Sequence, residues 1–339
     1  MESKKIIKSN TLSLPIDKNR PMPQKICIIS FDHWNYDRHI VSALQKKGIA
    51  SFHIKIGGFK HSNLWSRFTN MLSKLFLNKN PKLQKRQEYI INTLKEKGIQ
   101  DQILVLNPEL IEKKYHLEIK KYTKNYIAYL YDSMARCPVE HLLEGIFDEI
   151  YSFDKKDIKN YGFQETCNYI YDVSKLPETH IKTNVIYIGS IDDRLKIVND
   201  LGKTFEEHKM TFQFFAIGKK ATVFKLKQLL FKENQHIKFK RKRFSQEETL
   251  AIYNNSEVIL DIVRENQTGL SFRIFEAIGL NKNVITNNKN ILNYDIYNSN
   301  KIKLLENFNQ KLDFSSENYS KELLLKYHID NWVKNIFKL

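Results

Sequence analysis

EVILDIVRENQTGLSFRIFEAIGLNKNVITNN (residues 257–288) holds a strand, a helix and a second strand in close succession. The apolar run 257–263 reads as a buried strand. A polar loop with one glycine follows, and apolar residues then recur at helical spacing over 271–279. NVITNN (283–288) is apolar again and reads as a strand. A strand, a crossover helix and a strand make a parallel unit. The loop between the first two carries Arg264, Gln267, Gly269 and Ser271, and Arg273 and Glu276 lie just inside the helix. A structural turn alone does not need that much polarity.

Outward from this unit the same alternation covers most of the chain. Strands are expected at 25–32, 49–56, 103–108, 125–133, 149–154 and 166–173, then at 185–191, 210–218 and 236–244. Helices are expected at 36–47, 63–77, 82–97, 109–121, 138–146, a short one closed by Gly162, and then at 193–208, 221–231 and 245–255. Ser245 with Glu248 three residues on is a capping-box pattern. Strands alternating with helices imply an α/β class with parallel sheets covered on both faces. Two such runs joined near 174–183 imply two doubly wound, Rossmann-like domains. The expected division is an arm at 1–23, domains at 24–178 and 179–315, and an amphipathic helical segment at 316–339 that packs back on the body.

Composition fits this reading. The chain has 339 residues, 42% of them apolar and 27% charged, which supports packed cores and excludes wholesale disorder. The net charge of +17 favours an anionic partner: nucleic acid, an anionic membrane or phosphorylated substrates. Part of the lysine content accompanies a general excess of Lys, Asn and Ile. Three cysteines, widely spaced and without a CxxC, suit a reducing compartment and offer no metal site. The first 25 residues lack the apolar run of a secretory signal. No apolar run approaches the roughly 18 residues that a membrane-spanning helix needs.

In doubly wound sheets, ligands bind beyond the carboxyl ends of the strands, at helix N-termini. Gly269 admits close approach of a ligand to the backbone. The amides of Gly269, Leu270 and Ser271 open the helix at the end where anions are favoured. Arg264 and Arg273 can add charge-assisted bonds to phosphate, and the Glu276 carboxylate can accept two sugar hydroxyls. Together these fit a nucleoside-diphosphate seat. The same spacing also fits a capped helix with a solvated polar face. There is no GxGxxG and no Walker lysine pattern.

The stretch resembles the donor-site segment of GT-B glycosyltransferases, above all bacterial enzymes of lipopolysaccharide-core, capsule and exopolysaccharide synthesis. Asp261, Arg264, Gln267-Thr268-Gly269-Leu270, Arg273 to Gly279 and Val284 to Asn287 carry the likeness, with Tyr294 and Tyr297 downstream. YIGSIDDR (187–194), YLYDSMARCP (129–138) and FDEIYSFDKKDIKNYGF (147–163) extend it. The resemblance implies that Glu276 binds the ribose and that the 269–271 amides, with Arg194 or Arg273, hold the diphosphate. It also implies that Gly189 and Ser190 let the phosphates approach. Position 268 departs from the family: many retaining members carry the first of two glutamates there, so the stereochemical course stays open.

The first domain is expected to bind the acceptor. FDHWNYDRH (31–39) places Asp32, His33 and Asp37 at the end of the first strand as candidate bases, and Asp132 closes the fourth. Each also fits loop polarity. No DxD motif occupies a suitable loop and the family generally needs no metal, so neither metal nor cofactor is expected; the nucleotide sugar is the substrate. Residues 63–86 form a basic stretch with Trp65 and Phe68 on one helical face, which suits an anionic membrane interface and equally a core-packing helix. The basic run 238–244 lies in no RNA module and is expected to be a solvated or phosphate-facing edge, so nucleic acid is not an expected partner. The expectation is a cytoplasmic glycosyltransferase, peripheral at the inner face of the cell membrane. It would act on a lipid-linked or lipid-A-linked surface glycan. A nucleotide-sugar epimerase of the same fold and a non-catalytic scaffold are the alternatives.

Overall fold

The structure, a computed structural model, describes residues 24–32, 34–58, 81–171, 183–307 and 313–339. The arm at 1–23, His33, the helix at 63–77 and most of the join at 174–183 lie outside the described residues.

The strands form two six-stranded parallel sheets. The first contains β1 (Lys25–Ser30), β2 (Ala50–Lys55), β3 (Gln100–Val105), β4 (Thr123–Leu130), β5 (Glu149–Ser152) and β6 (Gln164–Glu165), in the order β2-β1-β3-β4-β5-β6. The second contains β7 (Thr183–Ser190), β8 (Phe212–Ile217), β9 (Ile237–Lys240), β10 (Ser256–Asp261), β11 (Asn283–Thr286) and β12 (Ile302–Leu304), in the order β12-β11-β10-β7-β8-β9. The helices are α1 (Asp37–Lys46), α2 (Pro81–Lys97), α3 (Lys113–Lys120), α4 (Lys155–Tyr161), α5 (Leu195–Glu207), α6 (Ala221–Phe231), α7 (Gln246–Asn254), α8 (Phe272–Gly279), α9 (Lys321–Tyr327) and α10 (Ile329–Phe337).

The continuous apolar runs follow from burial on both sheet faces. In β1, Ile26 and Ile28 enter one core while Cys27 and Ile29 enter the other. In β7, Ile186 and Ile188 point one way and Val185 and Tyr187 the other. The capping box on α7 forms: Glu248 N donates to Ser245 Oγ at 3.0 Å and Ser245 N to Glu248 Oε2 at 2.6 Å.

Several local expectations fail. Residues 138–146 form only a one-turn 3-10 helix at Glu140–Leu142, since Pro138 precedes it and Gly145 sits at φ 71°. The helix expected at 109–121 is broken at Ile111, whose φ of −123° and ψ of 131° are extended. Residues 166–171 join neither sheet. Their one ladder contact is a parallel bridge from Ile170 to His328. The apolar alternation there is real but serves two cores: Tyr169 and Tyr171 enter the first domain and Ile170 the second. β12, three residues long, went unread in the sequence.

Residues 321–337 return to the body and divide between the domains. Tyr327 of α9 packs in the second core. Ile329, Trp332, Val333, Ile336 and Phe337 of α10 pack in the first, with Ile26 and Ile40. Trp332 Nε1 donates to the Cys167 carbonyl at 2.8 Å, and Gln102 Nε2 to the Phe337 carbonyl at 2.9 Å.

Each sheet reverses its winding once. The crevice lies between β1 and β3 in the first sheet and between β7 and β10 in the second. Ligands of doubly wound sheets bind at such reversals.

Candidate functional site

A cavity of about 440 Å³ separates the two reversals, within the ~300–1,000 Å³ typical of small-molecule sites. Its walls come from the end of β7 (Gly189, Ser190), from the segments after β1 (Asp32, Tyr36), β3 (Asn107), β4 (Asp132) and β10 (Arg264, Gln267), and from α8.

The second-domain wall is organised by two aspartates. Asp261, fully buried at the end of β10, accepts from Ser271 Oγ at 2.7 Å, Arg273 Nε at 2.9 Å and Thr286 Oγ1 at 3.0 Å. Arg273 also donates to the carbonyls of Ile188 at 3.2 Å and Ile262 at 3.1 Å. It therefore braces β7 against β10, and only its remaining N–H groups can face a ligand. Ser271 occupies the N-cap of α8, but its hydroxyl is turned to Asp261, so no side chain caps that helix. The opening amides of α8 stay available to an anion.

Asp192 holds the other pair. It accepts from Arg194 Nε at 2.9 Å and NH2 at 2.7 Å, and from Arg264 NH2 at 2.8 Å. Burial alone would raise its carboxyl, yet Arg194 and Arg264 hold it below the usual carboxylate range. Arg194 also donates to the Ile262 carbonyl at 2.8 Å. Burial lowers the guanidinium of Arg264, and repulsion from Arg194 and from Arg136 across the cavity lowers it further. Arg136 is paired with Asp132 at 2.7 Å. Three guanidiniums thus approach one region from both domains.

Glu276 is buried in α8 and accepts from Tyr171 at 2.5 Å and Tyr36 at 3.0 Å, both on Oε1. Burial pushes its carboxyl up to about 7, against the opposing pull of the two phenols and Arg273. The Tyr36 ring stacks on Phe272 at 3.9 Å. Two phenols from distant segments therefore meet on one carboxylate oxygen.

On the first-domain wall, Asp37 opens α1 and is almost wholly buried. Tyr131 donates to its Oδ1 at 2.6 Å. Burial and then the charge of Asp32 raise its carboxyl to about 7, while Ser30, Tyr131 and Lys55 pull the other way. Asp32, Asp37 and His53 bring ligating atoms within 4.8 Å of one another. Lys55 Nζ, 3.1 Å from Asp32, already supplies a cation there. His33 lies outside the described residues.

Of the residues picked from sequence, Asp37, Asp132, Gly189, Ser190, Arg194, Arg264, Gln267, Ser271, Arg273 and Glu276 line the cavity. Gly269 and Leu270 do not. Leu270 is buried in the second core and its carbonyl accepts from Asn168 at 2.9 Å. A Cβ at Gly269 would lie 2.1 Å from Phe153 Cδ2 and 2.5 Å from the Phe153 carbonyl oxygen. The glycine makes room for the first domain. Thr268 belongs to the same junction: its N–H donates to Asp154 Oδ2 at 3.1 Å and its hydroxyl accepts from Lys155 N at 3.0 Å. A glutamate at 268 would face Asp154, which gives the departure at this position a physical reason. Gly269→Ala is expected to lower stability by about 1–3 kcal/mol, the usual cost of overpacking. Thermal denaturation reads this, and an unchanged midpoint would mean that Phe153 yields freely.

Sequence reasoning missed Tyr36, Tyr171, Arg136 and Asp192 as members of the site. Tyr36 and Tyr171 meet Glu276 across 240 and 105 residues, and no local pattern announces that. Asp132 and Arg136 pair within a turn, where no helical spacing rule announces them.

Neither a protein-family model nor a curated protein matches the chain. Solved structures are similar in fold. Trehalose-6-phosphate synthase OtsA superposes with TM-score 0.57 at 12% identity, over 91% of this chain and 97% of that one. AviGT4, a glycosyltransferase involved in avilamycin A biosynthesis, gives 0.54 at 7% identity over 93% of each. Sucrose-phosphate synthase from Thermosynechococcus elongatus gives 0.52 at 13% identity, over 93% and 92%. Two six-stranded parallel sheets with helices, matched over nearly the whole length, identify the architecture: the chain has the GT-B fold.

Proposed function

We propose that the chain transfers a sugar from a nucleotide-sugar donor to an acceptor hydroxyl inside this cavity. The observation that carries the reading is the second-domain wall. A buried carboxylate on α8, an arginine pair shared by one aspartate and an uncapped helix start line the same cavity. That set matches a ribose diol followed by a diphosphate. The fold shared with a named glycosyltransferase supports it.

In this reading the carboxylate of Glu276 receives the ribose hydroxyls after Tyr36 and Tyr171 withdraw. Arg264, Arg194 and Arg136, with the α8 amides, hold the diphosphate. Asp37 takes the proton from the acceptor hydroxyl. The acceptor oxygen then bonds to the anomeric carbon, and the bond from that carbon to the diphosphate oxygen breaks. The electron pair leaves on the diphosphate, where fixed cations stabilise it. No step requires a metal. The acceptor we propose is a lipid-linked surface glycan, with residues 63–86 resting on the anionic inner face of the cell membrane. Of these, 63–80 lie outside the described residues, and 81–86 begin α2. Among the described residues no helix is long and apolar enough to cross a membrane.

The test is a thermal shift with UDP, GDP, dTDP and CMP. A ligand at one hundred times its dissociation constant adds about 2.7 kcal/mol. One nucleotide should shift the wild type, and Arg264→Ala should bind it roughly 10–100-fold more weakly, the worth of a charge-assisted bond of about 1.5–3 kcal/mol. A folded protein indifferent to all four nucleotides would sink the proposal.

A further inference from the structure

We propose that the outer face of α6 is a docking surface for an anionic lipid bilayer. This goes beyond the transferase reading and does not depend on it. The inner face of α6 is fixed to its sheet. Ala221 is buried, Phe224 stacks on Phe239 at 5.2 Å, and Gln228 donates to the carbonyls of Asn234 at 2.7 Å and Ile237 at 3.0 Å. The opposite face is also apolar. Val223, Leu226 and Leu230, at helical spacing of three and four, are 55%, 55% and 61% exposed, and Leu229 beside them is 78% exposed. A helix that is anchored on one side and still shows a stripe of leucines to solvent is built to meet something apolar.

Charge says what that is. Lys219, Lys220, Lys225, Lys227 and Lys232 are exposed along this helix and its ends, and no acidic residue occurs from 219 to 232. On the helix, Lys225 and Lys227 flank the Leu226 stripe on its two sides. An apolar stripe bordered by lysines is the pattern of a helix lying in a lipid interface. Its leucines enter the acyl boundary and its lysine stems reach up to anionic headgroups. An acidic protein surface would match the lysines and leave the leucine stripe without a counterpart.

The experiment uses the full chain with vesicles of phosphatidylglycerol mixed into phosphatidylcholine, or of phosphatidylcholine alone. Sedimentation should show binding to the first kind only, weakened by added salt as lysine attraction is screened. L226E/L230E should bind at least tenfold more weakly with an unchanged melting temperature, because both positions are exposed. K225E/K227E should lose binding similarly. The emission of L229W, read as a difference from the wild type with its three tryptophans, should shift to the blue on anionic vesicles. No binding by the wild type would overturn the proposal. So would equal binding by L226E/L230E, or an unmoved indole on sedimenting protein, either of which puts the contact elsewhere, residues 63–86 included. A doubled solution mass that L226E/L230E restores to monomer would also overturn it, since a second copy would then cover the face.

Discussion

Glu276→Gln is expected to make the unliganded protein more stable at pH 8 while cutting its affinity for the donor nucleotide about a hundredfold. The folded carboxyl is raised from 4.5 to about 7 by burial. Stability from such a group is fully present below the unfolded pKa and is lost as pH rises through the folded one. From about pH 5 to pH 8 the wild type therefore loses ground that the glutamine variant keeps. One pKa unit corresponds to 1.36 kcal/mol, so the gain is on the order of 1–3 kcal/mol, several degrees in melting temperature. The amide oxygen can still accept from Tyr36 and Tyr171, so the junction survives. What it lacks is the charge that makes bonds to ligand hydroxyls strong. Melting curves at pH 5 and pH 8, with and without nucleotide, separate the two effects. A variant no more stable at pH 8 than the wild type, or one that still binds nucleotide normally, would remove Glu276 from the role proposed for it.

Asp37→Asn is expected to lower the transfer rate by about 10²–10⁴, the usual contribution of a general base, with donor affinity within about twofold. Burial and Asp32 hold this carboxyl near 7, so the wild-type rate should climb with pH through that region as the base form appears. The variant should show no such climb. Its fold should not suffer, because asparagine removes a buried charge beside Asp32. A variant that keeps its rate would shift the role to Asp132 or His33.

The sequence was most legible where physics is local. The alternation of strands and helices specified the parallel sheets, and the polar loop at 264–276 pointed to the cavity wall, because a buried parallel sheet and a helix opening each leave a short-range pattern. What escaped needed partners far along the chain. The tyrosines at 169 and 171 made 166–173 read as a strand, yet they form part of the junction between two cores. Gly269 reads as a ligand approach and instead accommodates Phe153. The α6 stripe reads as an ordinary helix, because periodicity reveals that a face is apolar and not which face meets the sheet.

The division of residues 321–337 between the two cores bears on how the protein is made. Trp332, Val333, Ile336 and Phe337 fill the core that Ile26 and Ile40 begin. A ribosome therefore delivers the whole second domain before it delivers the last apolar layer of the first. Domains commonly fold in the order in which they are synthesised. Here the amino-terminal domain must wait with part of its interior open while its successor closes. The order of synthesis and the order of completion are reversed, and nascent-chain chaperones would meet the first domain as the unfinished one.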